Sequence, residues 1–514
     1  FVASLAEQFE VIQRWVAGGN ASGVLSAPGD PFLGVPEPGQ RRIVTWPQGG
    51  GVRRVDLGDQ PLVSLRWGLY LFAPTRSALA LLKGFVAAVE RPAGAPATAL
   101  PLLPPTAAGS HDEWQRRLED PRLRDAAWQQ VRQAGGSLQT DYGVLHGSAA
   151  HVQAAFADDG SRLSVCGYGR RMAQSLGLGY LGQDTHTREA AYRSLAQGVN
   201  AAIEAYGLAR SFDDARQAAQ AQLAEERRRA QVTTPAGPLE WAVLLDRFHE
   251  RVLAGLCRQW FGLPDAAEAY VTTGPRLDGT AGPPRCPGHL FTLSRWVFSP
   301  APSATVAAQG RGQGAALLDA VRRWLAKASP VGLSADVAAA VKAWAAANPA
   351  LGEDPADLSA RTIAGTMLGF PPTVHGNFMK VIEAWVASRD FWAWQQAWLA
   401  QADRSGARAE ALLRQPLLQR MAQDPVPAML WRLPPEHWAD PDAAPRQARH
   451  VIGIAGAMRE PGADPQLMFG GTGGTHACPG REMAIGVLLG VLTTLFEAGR
   501  WRPGATGSQL LLQS

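Results

Sequence analysis

The sequence predicts a mainly α-helical protein with small β-sheets, preceded by a separate α+β segment. Three observations carry that prediction. Apolar residues recur at helical spacing through most of the chain beyond residue 110. Short β-branched and aromatic runs concentrate near the start. Between the two lies "RPAGAPATALPLLPPTAAG", Arg91 to Gly109, whose prolines and glycines forbid regular structure and mark a linker. The expected organisation is therefore an N-terminal extension over 1–109 and a main domain over 110–514.

In the extension, "SLAEQFEVIQRWV" offers Ser4 and Glu7 as a capping box, with Leu5, Phe9, Ile12 and Val16 on one helical face. "RRIVTW" and "LVSLRWGLYLF" read as strands, and Ser77 to Glu90 as a helix. In the main domain, Trp241, Leu244, Leu245, Phe248 and Val252 form the apolar stripe of a core helix. Residues 263 to 310, rich in Gly and Pro, read as a long irregular connection. A long helical pattern runs from Asp357 towards Asp390 but contains "GFPPTVHGN". Pro371 and Pro372 supply no backbone N–H and clash with the preceding turn, so either two helices meet here or one helix opens beside a bound ligand. From Arg481, "REMAIGVLLGVLTTLFEAG" is a strongly apolar helix, with Met483, Val487, Val491 and Leu495 stacked every four residues.

Composition narrows the function. At 514 residues, 46% hydrophobic and 18% charged, the chain can bury a large core and does not have the composition of a disordered one. A dispersed net charge of +4 argues against a nucleic-acid partner. Cys166, Cys257, Cys286 and Cys478 show no CxxC spacing, which disfavours a disulfide scaffold or zinc ribbon and fits a reducing cytoplasm. No run reaches the roughly 18 uncharged apolar residues of a membrane span. The first residue is Phe1, not Met, which leaves room for a removed leader.

One stretch carries chemistry: "GGTGGTHACPGREM", Gly470 to Met483. A phosphate-cradling loop would end in Gly-Lys-Ser/Thr, and this one continues Thr-His-Ala-Cys instead. Cys478 stands just before the N-terminus of the apolar helix, where free N–H groups and the helix dipole are expected to lower a thiol pKa. Gly474 and Gly480 would let backbone amides approach the sulfur. A thiolate in so apolar a setting needs a cation, and an iron bound by one cysteine supplies it. Cys286 also begins a Cys-Pro-Gly, but no apolar helix follows, so it reads as a loop cysteine.

"GGTHACPGREMA" resembles the cysteine-ligand loop of the cytochrome P-450 haem-thiolate superfamily, Gly-x-His/Arg-x-Cys-x-Gly ahead of a long core helix, with Gly474, His476, Cys478 and Gly480 on the pattern. "LGQDTHTREAAYRSL" from Leu181, "ERVLAGLCRQWFGLPD" ending at Asp265 and "PVPAMLWR" from Pro425 resemble further segments in the same order, so the likeness runs over roughly residues 130 to 505. It implies a P-450-like haem fold, haem b (iron protoporphyrin IX) as cofactor and Cys478 as the metal ligand. His476, His186, Arg193 and Arg432 would hold the haem propionates, with Arg193 or Arg188 standing in for the arginine expected where Ala190 lies. Tyr168 and Arg171 in "SVCGYGRRM" would line or gate the substrate side.

Three departures qualify the likeness. Gly471 stands where the family has Phe, with Phe469 two residues earlier. The Glu-x-x-Arg pair is missing, since Leu417 faces Arg420 at that spacing and Glu225 with Arg228 comes too early. In the distal helix prolines replace the acid, leaving Thr373, His375 and Asn377 as the candidate catalytic groups. The implied activity is a monooxygenase acting on a small, apolar substrate, with electrons from a separate ferredoxin or flavoprotein reductase. The alternatives are a hydroperoxide isomerase, lyase or peroxygenase needing no external electrons, and a non-catalytic haem sensor.

Overall fold

The computed structural model describes strands within residues 23–72, then residues 102–107, 109–121, 123–233, 240–262, 289–471, 474, 476–503 and 509–513. The chain divides into two compact units, Phe1–Pro101 and Leu102–Ser514. The boundary lies ahead of the one read from the sequence because the Leu103 backbone is tied to the second unit: its N–H donates to Gln130 at 3.1 Å and its carbonyl accepts from the same side chain at 2.7 Å.

In the first unit, β1 (Gly23–Ser26), β5 (Leu69–Phe72) and β4 (Leu62–Ser64) form one antiparallel sheet, and β2 (Arg42–Gln48) pairs with β3 (Gly51–Gly58). "LVSLRWGLYLF" is thus two strands paired with each other, Val63 opposite Leu71, rather than one. The helices expected at Ser4–Val16 and Ser77–Glu90 lie outside the described residues.

The second unit is built from helices. In chain order they are α1 (Ser110–Glu119), α2 (Arg124–Gln133), α3 (Ala149–Ala157), α4 (Cys166–Ala173), α5 (Thr185–Thr233), α6 (Leu245–Phe261), α7 (His289–Phe298) and α8 (Ala304–Leu325). There follow α9 (Leu333–Ala347), α10 (Pro355–Gly369), α11 (Pro371–Ser388), α12 (Asp390–Leu399), α13 (Gly406–Gln423), α14 (Ile454–Ala457) and α15 (Arg481–Glu497). Two small sheets flank them. One has the order β6 (Ser137–Gln139), β7 (Val144–His146), β10 (His450–Ile452), β9 (Leu430–Arg432), with β7 and β10 parallel. The other has the order β11 (Arg500–Pro503), β12 (Gln509–Gln513), β8 (Glu240–Leu244).

The centre of the unit is α15 against α5. Every α15 residue from Ile485 to Phe496 is buried, so the helix is apolar on all faces and has no solvent side. A Cβ on Gly486 would lie 2.5 Å from the Leu208 carbonyl oxygen, and one on Gly490 the same distance from that of Phe212. These two glycines let the helix backbones touch.

Some elements depart from expectation. Trp241 and Leu244 belong to β8, with Trp241 opposite Leu512, and only Leu245, Phe248 and Val252 continue on the helix. The mean apolar spacing hid the change of period. Within 263–310, residues 263–288, Cys286 among them, lie outside the described residues, while α7 and the start of α8 occupy the rest. At the double proline two helices meet. Phe370 (φ −94°, ψ −72°) joins α10 to α11, and Pro371 takes the first helical position, where its missing N–H costs nothing. The Thr373 hydroxyl turns back across the joint and donates to the carbonyls of Gly369 at 2.8 Å and Phe370 at 3.1 Å. Among the described residues no helix is long and apolar enough to cross a membrane.

Candidate functional site

The cysteine loop starts from a 3-10 turn, Pro465–Phe469, whose first turn is capped by the Asp464 side chain accepting from Gln466 N–H. Gly470 and Gly471, at φ 81° and 78°, then reverse the chain. This answers the missing phenylalanine: the Phe position is taken by a residue the turn requires to be glycine. Phe469 itself holds the loop through its carbonyl, which accepts from Cys478 N–H at 2.8 Å. Gly474 presses on the carbonyl of Phe156, 2.5 Å from where a Cβ would lie, so its smallness serves packing on α3 and not access to the sulfur.

Cys478 precedes Gly480, the N-cap of α15, and the Gly480 N–H donates to its sulfur. The residue keeps accessible surface although protein crowds its thiol on all sides. Here the expectation of a lowered pKa fails. Burial pushes the Cys478 thiol up and outweighs the Gly480 N–H and the Arg481 charge, which act the other way. The helix terminus alone does not make a thiolate in this setting, and a directly bound cation would.

Beside the loop lie two donors, Arg432 and His476. Arg432, the last residue of β9, is 4% exposed, and among the described residues it makes no ion pair. Its guanidinium lies 5.7 Å from the Tyr168 ring centre. His476 is pushed down to about 3, by burial first and the Arg432 charge second, and its Nε2 has no hydrogen-bond partner. A buried guanidinium next to an unsatisfied ring nitrogen is a site for an anionic oxygen.

Tyr180 approaches from the 3-10 turn Tyr180–Gly182, between α4 and α5. It is buried, close enough to Cys478 for their charges to interact, and shares a hydrogen bond with Thr366 of α10. A Cβ on Gly365 would stand 3.6 Å from Leu181 and from Met172, so this stretch of α10 faces the same turn. Sequence reasoning missed Tyr180, Gly365 and Thr366. The signal that could have marked them is "IAGTML", a small-residue step in a buried helix.

The three predicted distal residues have other partners. Thr373 bonds back across the helix joint, as described. Asn377 donates to the carbonyls of Thr373 at 2.9 Å and Val426 at 2.8 Å and accepts from Val426 N–H at 3.2 Å. His375 faces α6, with Nε2 3.0 Å from Asp246 and Nδ1 3.1 Å from His249 Nδ1. One turn beyond the joint, the helix has rotated these groups away from the face that carries Thr366. Arg193 is half-exposed, 3.5 Å from Asp159. The side chains of His186 and Arg188 lie outside the described residues.

Tyr168 and Arg171 anchor the chain. Tyr168 accepts from Trp431 N–H at 2.9 Å, and Arg171 donates to the carbonyls of Trp296 and Ser299 at 2.6 and 2.7 Å. Arg420 donates to Gln423 on its own helix. The ionic link from α13 instead starts at Arg414, which reaches Glu410 at 2.7 Å and clasps Glu482 in the first turn of α15 at 2.7 and 2.8 Å. Its spacing from Glu410 is one residue longer than Glu-x-x-Arg.

No family model matches the sequence, and no curated protein matches it. Solved structures do. CalO2 superposes with a TM-score of 0.51 and 16% identity, covering 76% of this chain and 93% of its own. P450BioI, in complex with an acyl carrier protein ligated with hexadec-9Z-enoic acid, gives 0.50 and 11%, covering 78% of this chain and all (100%) of its own. With the cysteine loop at the head of the buried α15, α10 across from it and the small sheets at its flanks, the second unit of this chain has the cytochrome P-450 fold.

Proposed function

We propose that the chain is a haem-thiolate oxidoreductase that oxidises a small, apolar organic molecule. The observation that carries this reading is a desolvated cysteine thiol at the head of α15, together with the buried Arg432 guanidinium, which makes no ion pair among the described residues, and the unpartnered Nε2 of His476. Haem b fits both features. Its iron would offset the burial that keeps the Cys478 thiol protonated, and a propionate would satisfy the Arg432 guanidinium and His476 Nε2. When bound, haem with a thiolate ligand supplies oxidation chemistry in which O–O cleavage is favoured.

The chain's own part follows from its residues. Cys478 would ligate the metal, with the Gly480 N–H moderating the charge on its sulfur. Arg432 and His476 would orient the group through charge-assisted hydrogen bonds. Tyr180 and Thr366, which share a hydrogen bond, would be able to hold a proton and present a donor to a polar ligand. The apolar walls contributed by Met172, Leu181 and Met367 exclude water.

Two sources of oxidant fit the class. A monooxygenase would take electrons from a separate ferredoxin or flavoprotein reductase. The peroxide-dependent alternative is favoured by α10 itself: after Thr366 come Met367 and Leu368, both fully buried and neither titratable. An oxidant already at the peroxide level needs less proton delivery than dioxygen. Turnover with hydrogen peroxide or a fatty-acid hydroperoxide in the absence of any reductase is the expected result of that alternative. Inertness to peroxides, with product formed only when a reductase is added, assigns the monooxygenase.

A further inference from the structure

The helix joint at Phe370 brings a second cluster together, away from the cysteine loop. Asp246 and Glu250 stand one turn apart on α6, and His375 reaches them from the second turn of α11. One oxygen of each carboxylate and one ring nitrogen of His375 all lie within 4.8 Å of one another. Glu250 is 1% and His375 8% exposed, while the Asp246 side chain, at 50%, leaves the cluster open to ions from solvent.

The imidazole is held as a ligand imidazole needs to be. Nε2 points to the carboxylates, 3.0 Å from Asp246, and Nδ1 is fixed by a second group, His249 Nδ1, at 3.1 Å. His249 is fully buried, stacked on Phe378 at 4.0 Å between ring centres, and its Nε2 has no hydrogen-bond partner. Phe291 of α7 closes over His375 with its ring edge, 5.3 Å between centres.

We propose that Asp246, Glu250 and His375 bind a divalent transition-metal ion, Zn²⁺ by the chemistry of the donors. One neutral imidazole with two carboxylates is a borderline donor set that Zn²⁺ accepts and that Mg²⁺, which keeps oxygen ligands and water, does not favour. Bound there, the ion ties α11 to α6 beside the joint where two prolines have removed backbone donors. Its role is that of a structural clip, and the assignment does not depend on the haem reading.

The test is calorimetric titration of the metal-stripped, haem-loaded full chain with Zn²⁺ and separately with Mg²⁺, together with thermal unfolding. Expected is one Zn²⁺ site that Mg²⁺ does not fill, a rise in Tm on adding Zn²⁺, and affinity about 100-fold or more weaker in both His375→Gln and Asp246→Asn. Asp246 is half-exposed, so its variant tests the site even if the buried His375 variant fails to fold. Absence of a Zn²⁺ site, or affinity unchanged in a folded Asp246→Asn protein, overturns the proposal. So does loss of the site in His450→Ala alone, which places the ion between His146 of β7 and His450 of β10, whose ring nitrogens lie 2.9 Å apart.

Discussion

Arg432 and His476 show how a single residue's cost can point to a ligand. Removing a guanidinium from water costs several kcal/mol unless an anion meets it, on the order of the penalty for an unpaired buried ion. Nothing acidic among the described residues does so for Arg432. Arg432→Leu should therefore leave the apoprotein folded and at least as stable, yet speed haem loss to a scavenger protein about tenfold to a hundredfold, the worth of one charge-assisted hydrogen bond. Unchanged haem loss would assign the arginine to packing on Tyr168. His476 was a candidate from the cysteine-loop motif and Arg432 from the segment "PVPAMLWR" ahead of it. Tyr180 was not, because nothing local distinguishes it, and its role arises from a contact with Thr366 nearly two hundred residues later.

At the scale of elements, strong periodicity was readable and changes of period were not. The apolar run after Arg481 could only be a buried helix, and it is one. Trp241 to Val252 fitted a helical template, but the first part pairs as β8 because β12 arrives from the far end of the chain to receive it. The joint at Phe370 resets the helix phase, so Thr373, His375 and Asn377 cannot be placed by counting along one continuous helix. The close approach of α15 to α5 makes its own prediction. Gly490→Ala would put a methyl 2.5 Å from the Phe212 carbonyl, a backbone atom that cannot swing aside. Thermal unfolding should show a loss of about 1–3 kcal/mol, the usual cost of overpacking. A change below about 0.5 kcal/mol would mean that the helices separate freely, contrary to the packing described here.

The second unit packs around a large apolar core, and its acid sensitivity should come from half-buried histidines. In the four-stranded sheet, His146 Nε2 lies 2.9 Å from His450 Nδ1. Burial, then the neighbouring imidazoles, bring His146 down to about 4, and burial lowers His450 too. Groups with depressed folded pKa bind fewer protons folded than unfolded below the ordinary value of 6.5. Stability should hold above that pH and fall as pH drops from 6.5 towards 4, and His146→Gln should flatten the slope of Tm over the same window. An unchanged slope would assign the acid loss elsewhere. The fold of the second unit was legible because one loop and one helix identify it. The identity of the distal groups was not, since folding, and not spacing, decides which side of α10 faces Cys478.

The central claim is that Cys478 is the axial ligand of a bound haem. Reduction under carbon monoxide tests it most directly. The wild-type chain should give the strongly red-shifted Soret band of a thiolate-ligated haem, and Cys478→Ser should lose that band while keeping its circular dichroism. An unshifted band in the wild type, or an identical spectrum in Cys478→Ser, would contradict the account.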